Sequence, residues 1–95
     1  MRAWLPLLLL PLVAPLRAEV FEAVAPDVWL LRGSFVPGRQ PDGNSVLLRG
    51  TDGLVLVDSG RHPEHRARIV AAAASLDSPV SVLVNTHWHL DHIGN

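Results

Sequence analysis

Ninety-five residues carrying nine acidic and eight basic side chains, with a net charge of −1, hold no surplus of positive charge for a polyanion. All the basic residues are Arg and they are scattered along the chain, so nucleic acid is not an expected partner. The absence of cysteine removes both a disulfide framework and a thiolate metal site from consideration.

The chain opens with Met1-Arg2, runs apolar from Ala3 to Leu16, and reaches the small residue Ala18 ahead of Glu19. This is the layout of a secretory signal peptide, with cleavage expected after Ala18. The apolar run of about 14 residues is shorter than the roughly 20 that a membrane helix needs. Pro6, Pro11 and Pro15 would also interrupt such a helix. Residues 1–18 are therefore read as a signal peptide and 19–95 as the N-terminal portion of a longer domain. The expected location is periplasmic or secreted, with no stable membrane insertion after cleavage.

Val28 to Leu31 is a short apolar run between Pro26-Asp27 and Gly33-Ser34, which predicts a strand. Phe35 to Asn44 carries Pro37, Gly38, Pro41, Asp42 and Gly43, a loop composition. It is read either as a loop shaping access to a site or as an ordinary surface connection. Ser45 to Arg49 and Leu54 to Val57 flank Gly50-Thr51-Asp52-Gly53 and predict an antiparallel hairpin that ends at Asp58-Ser59-Gly60. Pro63 suits the first turn of a helix, and Glu64 complements its positive end. That helix is expected to run to about Leu76, burying Ala67, Val70, Ala71 and Ala74, with Ile69 and Ala73 widening the stripe. Glu64 and Arg68 form an expected i,i+4 pair. His62 and His65 at the helix start are read as exposed, so His65→Ala should change neither metal occupancy nor turnover appreciably. After Asp77-Ser78-Pro79, Val80 to Val84 predicts an interior strand.

Beyond that strand, His87, His89, Asp91 and His92 place three imidazoles and a carboxylate within six positions. A lone histidine is usually a surface or hydrogen-bonded residue, but four donors at this density suit a metal centre. Structural zinc sites favour cysteine, so an open, reactive centre is the better reading. If the strand continues, His87 and His89 leave it on one side and can hold one ion, with Trp88 pointing away to pack, as Trp29 does in the core. Asp91 and His92 follow as the chain turns and can serve a second ion. Paired zinc ions would lower the pKa of a shared water to near 7 and polarise a carbonyl, with Asp91 orienting the hydroxide and receiving a proton.

This His-x-His-x-Asp-His segment resembles the hallmark of the metallo-β-lactamase superfamily. The likeness extends to the strand and turn from Gly53 to Gly60, with its Asp58-Ser59-Gly60 ending, and to Val84-Asn85-Thr86-His87. It implies an α/β fold, an αββα sandwich of which this chain supplies the N-terminal part, with two Zn2+ ions at one edge of the sheets. His87 and His89 would bind the first ion and Asp91 and His92 the second. The family's remaining ligands would lie past Asn95, so the 95 residues alone are expected to be inactive. Asp58 would either hydrogen-bond the metal loop from beneath or cap its own turn at Ser59-Gly60. Many members carry two glycines where this chain has Gly94 followed by Asn95, which leaves the geometry of that turn open.

His89 stands where the diiron branch has Glu, and His92 matches the His-rich dizinc group. The implied activity is a secreted zinc-dependent hydrolysis of a small ester, thioester or amide, β-lactams included. The alternatives are an iron-dependent oxygenase on the same scaffold and a truncated non-catalytic module. Fold and motif do not select the small-molecule substrate. His89→Ala should reduce metal occupancy and turnover together.

Overall fold

The computed structural model describes residues 21–95; the expected signal peptide lies outside the described residues. Five strands form one sheet in the order β1-β2-β3-β4-β5. They are β1 (Glu22–Ala25), β2 (Val28–Leu31), β3 (Ser45–Arg49), β4 (Leu54–Val57) and β5 (Val80–Val84). Helix α1 (Pro63–Ser75) joins β4 to β5, and a short helix α2 (Leu90–Ile93) follows β5. The first four strands pair antiparallel, while β4 and β5 run parallel, as a crossover helix between them requires. Among the described residues no helix is long and apolar enough to cross a membrane.

Strand β1 was not legible, because glutamate and alanine favour strands weakly and every residue of it is exposed. Its pairing with β2, Glu22 opposite Leu30 and Ala23 opposite Trp29, defines it. The predicted hairpin is present, with Val46 opposite Val57 and Leu48 opposite Val55.

Alternation places Leu31, Ser45, Leu47, Leu54 and Leu56 on one buried face. Ile69, Ala72 and Ala73 of α1 pack onto the leucines of that face, with Trp29 and Leu76 at its margin. The other face is also apolar: Val46, Leu48, Val55 and Val57 are half-buried on it. Val82 and Val84 pair with Val55 and Val57 and extend that row. A mixed sheet with a helix on one face and a second apolar face is the part of an αββα sandwich that these residues supply.

Two expectations are corrected here. Strand β5 is an edge of the described sheet with all five residues exposed, because α1 lies over β2, β3 and β4 and none of the buried core comes from β5. Helix α1 is also rotated from the expected phase, burying His65, Ile69, Ala72 and Ala73 and leaving Ala67, Val70, Ala71 and Ala74 exposed. A run of small alanines gives little hydrophobic contrast around the helix, so tertiary contacts choose the buried stripe.

His65 sets that phase and is fully buried, contrary to the exposed reading. Its Nδ1 lies 2.9 Å from Arg68 Nη2, which can only donate, so Nδ1 accepts. The proton therefore sits on Nε2 and is donated to Ser45 Oγ at 2.8 Å. Gly60, at φ +74°, lies against the ring; a Cβ there would fall 2.2 Å from His65 Cδ2. The expected Glu64–Arg68 pair does not form, since Arg68 faces His65 and Glu64 pairs with Arg39 at 2.6 Å.

Burial, and then the Arg68 charge, hold the His65 pKa below its usual 6.5, against an opposing pull from Asp42. The unfolded chain then takes up a proton that the folded chain refuses. Stability is full above pH 6.5 and is lost as pH falls below it towards the depressed folded value. Urea midpoints of the full-length protein should fall between pH 7.5 and 5 and fall less in His65→Leu; an equal fall in both proteins would remove His65 as the cause.

Candidate metal centre

The centre is assembled where β4 and β5 end side by side. The last ladder bond of this parallel pair runs from Asp58 N to Val84 O at 2.8 Å. Asp58 itself is held at φ +62°, a left-handed conformation that asparagine and aspartate tolerate better than most residues. Its carboxylate is buried and accepts from Thr86 N (2.8 Å), Thr86 Oγ1 (2.7 Å) and His92 Nδ1 (2.7 Å). Its partners are thus the histidine loop and His92 of α2 rather than its own Ser59-Gly60 turn. Burial pushes the Asp58 pKa up, but these hydrogen bonds and the His92 ring outweigh it and keep the carboxyl below the usual range.

Strand β5 stops at Val84, so His87 and His89 lie in the loop beyond it rather than on a continuing strand. They still meet, with ring centroids 4.7 Å apart. Helix α2 then turns the chain back, with His89 as its N-cap and backbone bonds from His92 N and Ile93 N to His89 O. This brings the His92 ring to 4.1 Å from His87, centroid to centroid. His92 Nε2 lies 3.5 Å from Asp91 Oδ2.

Two sets of donor atoms each gather within 4.8 Å: His87, His89 and Asp91, and Asp58, His87 and His92. His87 belongs to both, although its sequence position associates it only with His89. Asp58 is the weaker donor of the second set, since its two oxygens already accept three hydrogen bonds. The His92 Nδ1 contact to Asp58 leaves Nε2 as the nitrogen free for a cation. Nitrogen and carboxylate oxygen donors in this arrangement fit a zinc-type ion.

The turn after α2 is completed by Gly94 and Asn95. Gly94 adopts ordinary right-handed backbone and donates to Gly60 O at 2.8 Å. Asn95 Nδ2 donates to Ser59 O (2.9 Å) and His62 O (2.8 Å), and Ser59 N donates to His92 O (2.8 Å). The Asp58-Ser59-Gly60 turn is thus the floor on which the histidine loop rests. Trp88, expected to pack, is 77% exposed and instead meets the His89 ring edge-on at 4.8 Å.

Three contributors were missed in the sequence. Thr86 bridges Asp58 and His87, its Oγ1 lying 2.8 Å from His87 Nδ1. Asp42, buried in the long loop, accepts from Arg61 N (2.6 Å), His62 N (2.8 Å) and Ser34 Oγ (3.0 Å). Burial raises its pKa, but those bonds prevail and lower it. Gly43 donates to Asp91 O at 2.7 Å and lies so close that a Cβ would fall 2.6 Å from His92 Nε2. The Asp42-Gly43-Asn44 run marks a turn in the sequence, but its packing against His92 joins segments far apart in the chain.

The long loop is therefore no ordinary surface connection at its C-terminal end. His62 Nε2 holds Gln40 O at 2.6 Å, and Arg39 reaches Glu64 on α1. Phe35 and Val36 remain exposed at its other end.

A family model described as metallo-beta-lactamase superfamily matches residues 38–95. Among solved structures, the chain is similar to a metallo-β-lactamase from Erythrobacter litoralis with β-mercaptoethanol in its active site, at 33% identity and a TM-score of 0.65. A metallo-β-lactamase from Hirschia baltica matches at 30% identity and a TM-score of 0.64. The mono-zinc form of FIM-1 from Pseudomonas aeruginosa matches at 26% identity and a TM-score of 0.63. Each match covers 78% of this chain and 34% to 35% of the other, so the chain spans about a third of their length. No curated protein matches.

Proposed function

Because the chain belongs to the metallo-β-lactamase superfamily, we propose that the full-length protein is a secreted zinc-dependent hydrolase acting on a small ester, thioester or amide, β-lactams included. The observation that carries this reading is the gathering of His87, His89, Asp91 and His92 where β4 and β5 end, in two donor sets that share His87, with His92 tied back by Asp58. His87 and His89 would hold a first zinc ion, Asp91 and His92 a second. When bound, zinc polarises a substrate carbonyl and lowers the pKa of a water towards about 7.

The chain's own residues supply orientation and proton handling. Asp58 fixes the His92 ring, and Gly43 lets the loop backbone lie against it without a side chain in the way. Asp91, partly exposed with Oδ2 3.5 Å from His92 Nε2, would orient the attacking water and accept its proton.

The test is metal quantitation on the gently purified full-length protein, followed by lactam, lactone and thioester substrates and by oxygen uptake. Bound zinc with hydrolysis is expected, and the mature chain should begin at Glu19. Iron together with oxygen consumption would replace the reading with an oxygenase, and failure to take up any transition metal would end it. His89→Ala should lower zinc occupancy and turnover together; full activity in that variant would remove His89 from the site.

A further inference from the structure

His87 stands at the centre of the cluster, and the nitrogen it offers a metal depends on where its single ring proton sits. In a neutral imidazole one nitrogen donates and the other accepts, and only the accepting one can bind a cation. The Asp58 carboxylate accepts hydrogen bonds and cannot donate while ionised. Thr86 Oγ1, 2.7 Å from Asp58 Oδ2, must therefore give it the one hydroxyl proton it has. Towards His87 Nδ1, at 2.8 Å, the same oxygen has only lone pairs to present. His87 Nδ1 must then carry the proton and donate it, which leaves Nε2 bare.

We infer that Thr86 is a positioning residue: through its hydroxyl, Asp58 sets the tautomer of His87 as well as that of His92, so that both rings present Nε2 to the metal. One buried carboxylate thus commands two imidazoles, His92 directly and His87 through an intervening hydroxyl. The Thr86 backbone N–H is held separately by Asp58 Oδ1, so loss of the hydroxyl leaves the loop anchored. This inference deepens the proposed zinc chemistry and rests on it for its consequence, but the protonation pattern exists in the metal-free protein.

The test uses the full-length protein with nitrogen-15-labelled histidine, first without metal and then titrated with zinc against a chelator. Wild-type His87 should show its proton on Nδ1. Thr86→Val, which keeps the side-chain shape but has no hydroxyl, should lose that preference and bind zinc about 10–100-fold more weakly. Thr86→Ser should restore both. His87 protonated on Nε2 in the wild type, or a Thr86→Val protein with unchanged ring signals and zinc affinity, overturns the inference. Should Thr86→Val fail to fold, Thr86→Ala, which also lacks the hydroxyl and keeps the backbone bond to Asp58, gives the same comparison. If the wild type shows the Nδ1 proton yet binds no zinc, the proposed function fails while the relay stands.

Discussion

Replacement of Asp58 by alanine is expected to cost about 3 kcal/mol of stability, since hydrogen bonds to charged groups contribute about 1.5–3 kcal/mol each and losses at one site are not additive. Three donors lose their acceptor together: Thr86 N, Thr86 Oγ1 and His92 Nδ1. Alanine also tolerates the left-handed backbone at this position poorly. Zinc affinity should fall by about 10–100-fold or more, because the imidazole orientation goes with the hydrogen bonds.

Asp58→Asn separates the two effects. Asparagine accepts the left-handed conformation and keeps one oxygen for Thr86 N, so the fold should survive with a loss of about 1 kcal/mol. Its amide NH2 would face His92 Nδ1, which must then accept and move its proton to Nε2, the nitrogen the metal needs. A folded protein with poor zinc affinity is the expected result. Denaturant titration and chelator competition on both variants check this, and an Asn variant that binds zinc as tightly as the wild type would refute the account.

The second large effect is expected at Gly43. A side chain there would begin 2.5 Å from His92 Cε1 and 2.9 Å from Asp91 O, inside van der Waals contact. The ring cannot simply yield, because Asp58 holds its other nitrogen. The segment Asp42 to Asn44 must retreat instead, breaking the Gly43 N to Asp91 O bond. Gly43→Val should therefore lower stability by about 1–3 kcal/mol, the usual cost of overpacking. It should also weaken zinc binding about 10-fold or more by displacing the His92 ring proposed as a ligand. Gly38→Val is the matched control, chosen because nothing lies within 4 Å of a Cβ there. Its positive φ strains the backbone, so stability can fall, but zinc affinity should not. Equal zinc affinity in Gly43→Val and the wild type would show that the contact with His92 is dispensable.

Much of this architecture could be read from the chain because its signals are local. Alternating aliphatic runs bounded by Gly, Pro and Asp give β2, β3, β4 and β5 their limits, and Pro63 marks the start of α1. Donor density at His87, His89, Asp91 and His92 marks a candidate metal centre for the same reason, since four ligand-type side chains in six positions have few other uses.

What local pattern could not decide was phase and partnership. The alanine-rich α1 has almost no preferred face, and the pocket formed by Ser45, Gly60 and Arg68 around His65 chose one. Strand β1 exists because β2 offers it an edge, not because of its own residues. Thr86 and Gly43 matter only through atoms contributed by segments remote in sequence, Asp58 for one and His92 for the other. Periodicity and ligand chemistry are properties of neighbouring residues and survive in a string of letters. The orientation of an imidazole, the seat of its proton and the burial of a histidine depend on which distant groups the folded chain brings within about 3 Å, and only the tertiary structure decides that.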